Sequence, residues 1–197
     1  MANKEIQEER IRGYFIQATK ELLRSEGLKV VSVRNIADRA GYSYATLYNY
    51  FRDVKELVFI CVKDFQEECG EIIAKETLNT DEGIPKIKAV MRSYVKYFIQ
   101  YPGIFELFFL EKMNDLGARQ RTNEMIFTFP ERLCESDWQY CLANSIFNEK
   151  QIKDKQDDIK YAVTSLLLFY LNRRIPDSYS EFERIVEEKL DIILDNK

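Results

Sequence analysis

This sequence predicts an all-α fold, and three observations carry the prediction. Only seven glycines and four prolines occur in 197 residues. Alternating β-branched runs are rare, and apolar residues return at helical spacing over long stretches. The first helix places Ile11, Tyr14, Phe15, Ala18 and Leu22 on one stripe, and Gly27 follows it as a C-cap.

Residues 32–51, SVRNIADRAGYSYATLYNYF, hold two short amphipathic segments. Val33, Ile36, Ala37 and Ala40 fall at i, i+3, i+4 and i+7, and Leu47, Tyr48 and Phe51 repeat that spacing beyond Gly41. Ser32 and Ser43 each precede a segment with a hydroxyl able to accept a bond from an unpaired backbone amide. Gly41 sits where the chain must leave one helix and enter the next, a place that favours positive φ. The spacing therefore predicts a helix-turn-helix, completing a three-helix domain over residues 1–52, with a helical body over 53–197.

Asp53 and Glu56 resemble a capping box that opens a fourth helix running from about Lys55 to Leu78. A fifth spans Ile84 to Gln100, and Pro102-Gly103 breaks it before periodicity resumes from Ile104 to Leu116. Residues 119–149 read as one long helix or two pieces interrupted at Pro130. Ile159, Val163, Leu166, Leu167 and Tyr170 form one last stripe and Phe182, Ile185, Val186, Leu190 and Ile193 another; the turn Ile175-Pro176-Asp177 joins them as a helical hairpin.

The formal charge of −4 hides an asymmetry: residues 1–55 carry ten Lys or Arg against seven Asp or Glu. Salt screens charge over about 10 Å at 0.1 M, so an acidic body does not prevent a basic N-terminal face from meeting phosphates. No apolar run approaches the roughly 20 residues needed to span a bilayer, and MANKEIQEER has no signal-peptide core, so a cytoplasmic protein without a membrane partner is expected. Cys61, Cys69, Cys134 and Cys141 lack Cys-x-x-Cys spacing and read as small buried hydrophobes, with no metal or redox site. The chain has no histidine, which excludes histidine-dependent catalysis and Glu-x-x-His di-iron chemistry. No catalytic constellation stands out, so neither an enzyme nor a cofactor is expected.

From about residue 8 to 60, with VSVRNIADRAGYSYATLYNYF followed by KEL, the chain resembles the N-terminal domain of TetR-type transcriptional regulators. The spaced Ile-Ala, Ala-Gly, Thr-Leu-Tyr and Tyr-Phe elements are more specific than a bare helix-turn-helix. Further on, Tyr-Pro-Gly-Ile-Phe resembles the family's turn between its fifth and sixth helices. The resemblance implies a DNA-binding regulator whose last two helices form a four-helix homodimer interface, here Ile159, Val163, Leu166, Leu167, Tyr170, Phe182, Ile185, Val186, Leu190 and Ile193. The plainer alternative is that these stripes complete the monomer's core.

Arg34 matches a position where some members use arginine against guanine, which an arginine can read through both O6 and N7. Tyr44 and Ala45, at the start of the recognition helix, are base-contact candidates, the Ala45 methyl suiting a thymine methyl. Ser32, Ser43, Thr46 and Tyr48 offer hydroxyls suited to phosphates, and Tyr48 is also a structural candidate. Asn49 can reach adenine or phosphate, or be an ordinary exposed residue. Family members commonly hold a phosphate-gripping lysine where Val54 stands; Lys55 is one residue, about 100° of helix, further on.

Phe65, Met91, Tyr94, Phe98, Phe105, Phe108, Phe109, Phe127, Trp138 and Tyr161 are candidates to line a pocket for a small apolar or aromatic effector, with plain core packing as the alternative for any one of them. The function expected is a dimeric repressor released from a palindromic operator by such an effector. The alternatives are a TetR-like activator or partner-controlled regulator and, remotely, an all-helical enzyme with an N-terminal interaction module.

Overall fold

The computed structural model describes residues 2–110 and 116–195, and among them it holds helices and no strand. The helices are α1 (Ala2–Glu26), α2 (Val33–Ala40), α3 (Tyr44–Tyr48), α4 (Val54–Glu76), α5 (Ile84–Gln100), α6 (Pro102–Phe109), α7 (Leu116–Phe127), α8 (Phe129–Leu133), α9 (Glu135–Ala143), α10 (Glu149–Arg173) and α11 (Tyr179–Asp195). A single 3-10 turn, Leu28–Val30, follows α1. Contacts group the chain into two compact units, residues 1–67 with 101–126, and residues 68–100 with 127–197.

In the first unit, Phe15, Ala18 and Leu22 of α1 close over Ile36 and Ala37 of α2, Leu47 of α3, and Phe51 and Leu57 beyond it. The Phe15 ring meets Phe51 edge-on at 6.2 Å and Tyr42 at 5.5 Å, so one side chain pins the turn and the chain beyond α3 to the first helix. Tyr14, which the α1 stripe places inward, is 54% exposed, and Leu23 fills the core instead. Gly27 does end α1 with φ 77°. In α6, Gly103 lies so close to α1 that a Cβ there would stand 2.7 Å from the Leu23 carbonyl oxygen.

The second unit is built around α5, whose Ile87, Val90, Met91, Tyr94, Val95 and Phe98 are buried. Tyr94 meets Phe98 at 4.8 Å and Phe129 of α8 at 6.0 Å. The hairpin of α10 and α11 closes on itself where Tyr170 stacks on Phe182 at 4.4 Å, and Lys155 donates to the Ile193 carbonyl at 2.6 Å. Lys88 of α5 reaches Asp191 and Asp195 of α11 at 2.7 and 2.9 Å. Burial disfavours its charge, but these carboxylates outweigh that and raise its pKa.

The structure corrects two stretches. The helix expected over 104–116 stops at Phe109, and residues 111–115 lie outside the described residues. Residues 119–149, expected as one helix or two pieces, hold most of α7, then α8 and α9 and the first residue of α10. Pro130 does not kink a helix: it sits in the first turn of α8, where its missing N–H costs nothing. Asn148 and Gln151 form a reciprocal capping box that starts α10 ten residues ahead of Ile159.

Candidate nucleic-acid interface

The turn between α2 and α3 is set by three local features. Ser32 accepts from the Asn35 amide at 3.2 Å, and Ser43 accepts from the Thr46 amide at 3.1 Å. Gly41 takes φ 76° and ψ 27°, the left-handed conformation a side chain resists, and its N–H closes back on α2. Asp53 accepts from the Glu56 amide while Glu56 accepts from the Arg52 amide, both at 2.9 Å, so α4 starts firmly just beyond α3.

Arg34, Tyr44, Ala45, Tyr48, Asn49 and Lys55 are all exposed. Arg34 touches only Asp38 in the described ion pairs, at 3.9 Å with side chains 89% and 72% exposed, an arrangement worth little in water and readily exchanged for another anion. Arg39 binds Glu26 at 3.1 Å and Arg12 lies over the Phe51 ring at 5.0 Å, whereas Arg52, 88% exposed, has only Asp53 at 3.8 Å in the described ion pairs. Tyr44 and Tyr48 are 65% and 55% exposed. Tyr48 therefore does not share the buried face of Leu47 and Phe51, because α3 ends at Tyr48 and the helical period does not continue to Phe51. Two large aromatic hydroxyls thus project from α3 with little intramolecular use.

Ser32 and Ser43 are engaged as caps, and the Ser43 and Thr46 hydroxyls share a bond at 2.8 Å. Val54 is half-buried against the first unit's core, whereas Lys55 is exposed. Burial of Val54 explains how an apolar residue is tolerated there.

The pocket candidates fall into different surroundings. Phe65, Phe105 and Phe108 are buried in the first unit, with Phe109 half-buried. Met91, Tyr94, Phe98 and Trp138 are buried in the second. Phe127 and Tyr161 are 48% and 57% exposed and stand 6.1 Å apart beside Lys160. A void of about 10 Å³ lies among Ile87, Met91, Pro130, Cys134, Trp138 and Ile159. A larger cleft of about 650 Å³ runs between the end of α4, α5 and α11, lined by Arg92, Lys96 and Arg184 with Glu76, Glu183 and Glu187. Its acids match its bases, and Arg92–Glu187 and Lys96–Glu76 already pair at 2.6 and 3.0 Å, so it suits neither an apolar molecule nor a polyanion.

Of the interface candidates, Ile159, Val163, Leu167, Tyr170, Phe182, Val186 and Leu190 are buried within their own chain. Leu166, Ile185 and Ile193 are half-buried. Among the outward apolar side chains of α10 and α11 are Phe169 at 53% and Ile192 at 55%, with Tyr161 and Tyr179 also exposed. Phe169 lies three residues after Leu166 and Ile192 seven after Ile185, a second, thinner stripe beside each main one.

All four cysteines are free and buried. Burial, reinforced by Asp64, pushes the Cys61 thiol up to about 12, so it stays protonated and unreactive at neutral pH.

The short helix behind the glycine turn thus carries Tyr44 and Tyr48 outward, and Arg34 stands exposed on the helix before it. Residues 15–59 match the family model for bacterial regulatory proteins of the tetR family. No curated protein matches the sequence. Solved structures do. FadR from Bacillus subtilis in complex with stearoyl-CoA superposes with a TM-score of 0.72 at 16% identity, covering 92% of this chain and 96% of that one. The fatty acid degradation regulator FadR from Bacillus halodurans gives 0.69 at 16%, covering 93% and 94%. A tetR-family transcriptional regulator from Streptomyces coelicolor gives 0.70 at 14%, covering 94% and 80%. The family match thus rests on residues 15–59, which hold the helix-turn-helix, and the likeness of the rest of the chain to these solved structures is one of fold.

Proposed function

We propose that this protein is a dimeric repressor that reads a palindromic operator through α2 and α3 and is released by a largely apolar effector, with long-chain acyl-CoA the first class to test. The observation that carries the DNA reading is the exposure of Arg34, Tyr44 and Tyr48 on one capped helix-turn-helix. Arg34 is assigned to a guanine edge, Tyr44 and Ala45 to bases, and Ser32, Ser43, Thr46, Tyr48 and Asn49 to backbone or neighbouring edges, with Lys55 to phosphate. The dimer is assigned to the outer faces of α10 and α11 through Leu166, Phe169, Ile185 and Ile192, not through the stripe that each chain buries. Two recognition helices then enter major grooves roughly 34–36 Å apart.

The acyl-CoA assignment draws on the stearoyl-CoA complex of the Bacillus subtilis relative. α4 is the proposed lever, because it is one continuous helix from the end of the DNA-binding domain into the body. An effector preferring the released state about 100-fold contributes nearly 3 kcal/mol against operator binding by reciprocal linkage. The test is titration of stearoyl-CoA into the protein–operator complex, followed by anisotropy. Release at micromolar ligand supports the reading, while tight ligand binding with unchanged operator affinity overturns the switch.

One observation favours a second reading, control by a protein partner. The aromatic side chains of the second unit pack against one another, and the void beside Met91 is far smaller than a ligand. An effector must therefore open this core in order to enter it.

A further inference from the structure

One polar atom in the second unit is out of place. Tyr94 is 1% exposed and wedged between Phe98 and Phe129, and its hydroxyl is buried without a hydrogen-bond partner. Leaving such a group unmet costs a folded protein about 1–3 kcal/mol, and phenylalanine would fill the same space without that cost. The orphan sits one helical turn from Met91, which lines the small void running on to Trp138 and Ile159. Tyr94 does not itself line that void, so its hydroxyl is left unmet within packed aromatic core.

We propose that Tyr94 is the polar anchor of the effector site, its hydroxyl donating to a neutral carbonyl oxygen on an otherwise apolar ligand. This inference rests on the effector reading above and narrows it: the body recognises an acyl ester, thioester or amide and discriminates against the free acid. Burial raises the Tyr94 pKa well above its ordinary value, so the group is a donor at any physiological pH. Its electrostatic neighbour is the Cys69 thiol, which burial also keeps neutral. A carboxylate brought to this point would lose its hydration beside the neutral Cys69 thiol, whereas a carbonyl needs only the one bond Tyr94 offers. The acyl chain then lies against Met91, Phe98 and Phe129.

The test compares palmitoyl-CoA, its thioether analogue S-hexadecyl-CoA, which lacks the carbonyl, and palmitate, each titrated calorimetrically into the full-length protein and into Tyr94→Phe. The wild type should favour the thioester over the thioether by roughly 3- to 10-fold, the range of one neutral buried hydrogen bond, and bind palmitate more weakly still. Tyr94→Phe should erase the thioester preference with no fall in the melting temperature of the free protein. An equal preference in both proteins, or palmitate binding as tight as the thioester, would overturn the anchor while leaving the effector reading intact. Failure of both CoA derivatives to bind the wild type would instead remove the acyl effector reading, and this inference with it.

Discussion

Arg34 is the residue on which sequence discrimination is expected to depend most. Its guanidinium has only a loose, exposed carboxylate beside it, so leaving Asp38 for a guanine costs little. Arg34→Ala should weaken binding to the selected operator by about 1–3 kcal/mol and flatten discrimination at one base position per half-site. Lys55→Ala should weaken all sequences alike and shallow the salt dependence, as loss of a phosphate contact does. Competition anisotropy at two salt concentrations separates the two. A third residue reports on the body's pH response. The Ser93 hydroxyl, and after it Lys96, hold the Glu76 carboxyl below its ordinary range. Because its folded pKa is depressed, the stability it contributes is present above the unfolded value, about 4.3, and fades as pH falls through the folded one. Urea unfolding of Glu76→Gln should therefore show a flatter acid limb than the wild type, the two proteins differing most near pH 7 and converging as pH falls.

At the scale of elements, two contacts are open to test. In α6, Gly103 leaves no room for a side chain, since its Cβ would meet the Leu23 and Arg24 carbonyl oxygens at 2.7 and 3.1 Å. These are backbone atoms that cannot swing aside, so Gly103→Ala should destabilise the fold by about 1–3 kcal/mol, seen as a lowered thermal midpoint. On the outer faces of α10 and α11, Phe169→Asp should leave secondary structure unchanged by circular dichroism and shift the mass measured by light scattering to that of a monomer. Elements also show where the sequence was legible. Both bounds of α5, and the caps at Ser32, Gly41, Ser43 and Asp53, were readable because each is set by local chemistry within four residues. The separate α8 and α9 were not: the break between them at Cys134 has no side-chain cap, and Pro130 opens a helix where a kink was as plausible from spacing alone. Which way Tyr48 faces depended on where α3 stops, and a five-residue helix is too short for its period to say.

For the whole molecule, burial separates what an apolar stripe means from what it does. The stripes of α10 and α11 are strong signals, yet most of their residues are buried within one chain, and the residues proposed to face a partner are weaker neighbours that no periodic count would rank first. The aromatic richness of the body likewise reads from sequence as a pocket, while most of those rings fill core and two stand at the surface. The N-terminal domain is different. Its fold and its exposed residues come from the same short stretch, so the set proposed to face DNA was legible there, whereas a pocket in the body would depend on long-range packing. The most direct measurement is selection of bound sequences from a random duplex pool by the purified protein, with the enriched sequence then measured by anisotropy against the wild type, Arg34→Ala and Tyr44→Ala. The account predicts an enriched palindrome with half-sites about one helical turn apart and weakened binding by both variants. No enrichment at any salt concentration, or a palindrome bound equally well by both variants, would contradict it.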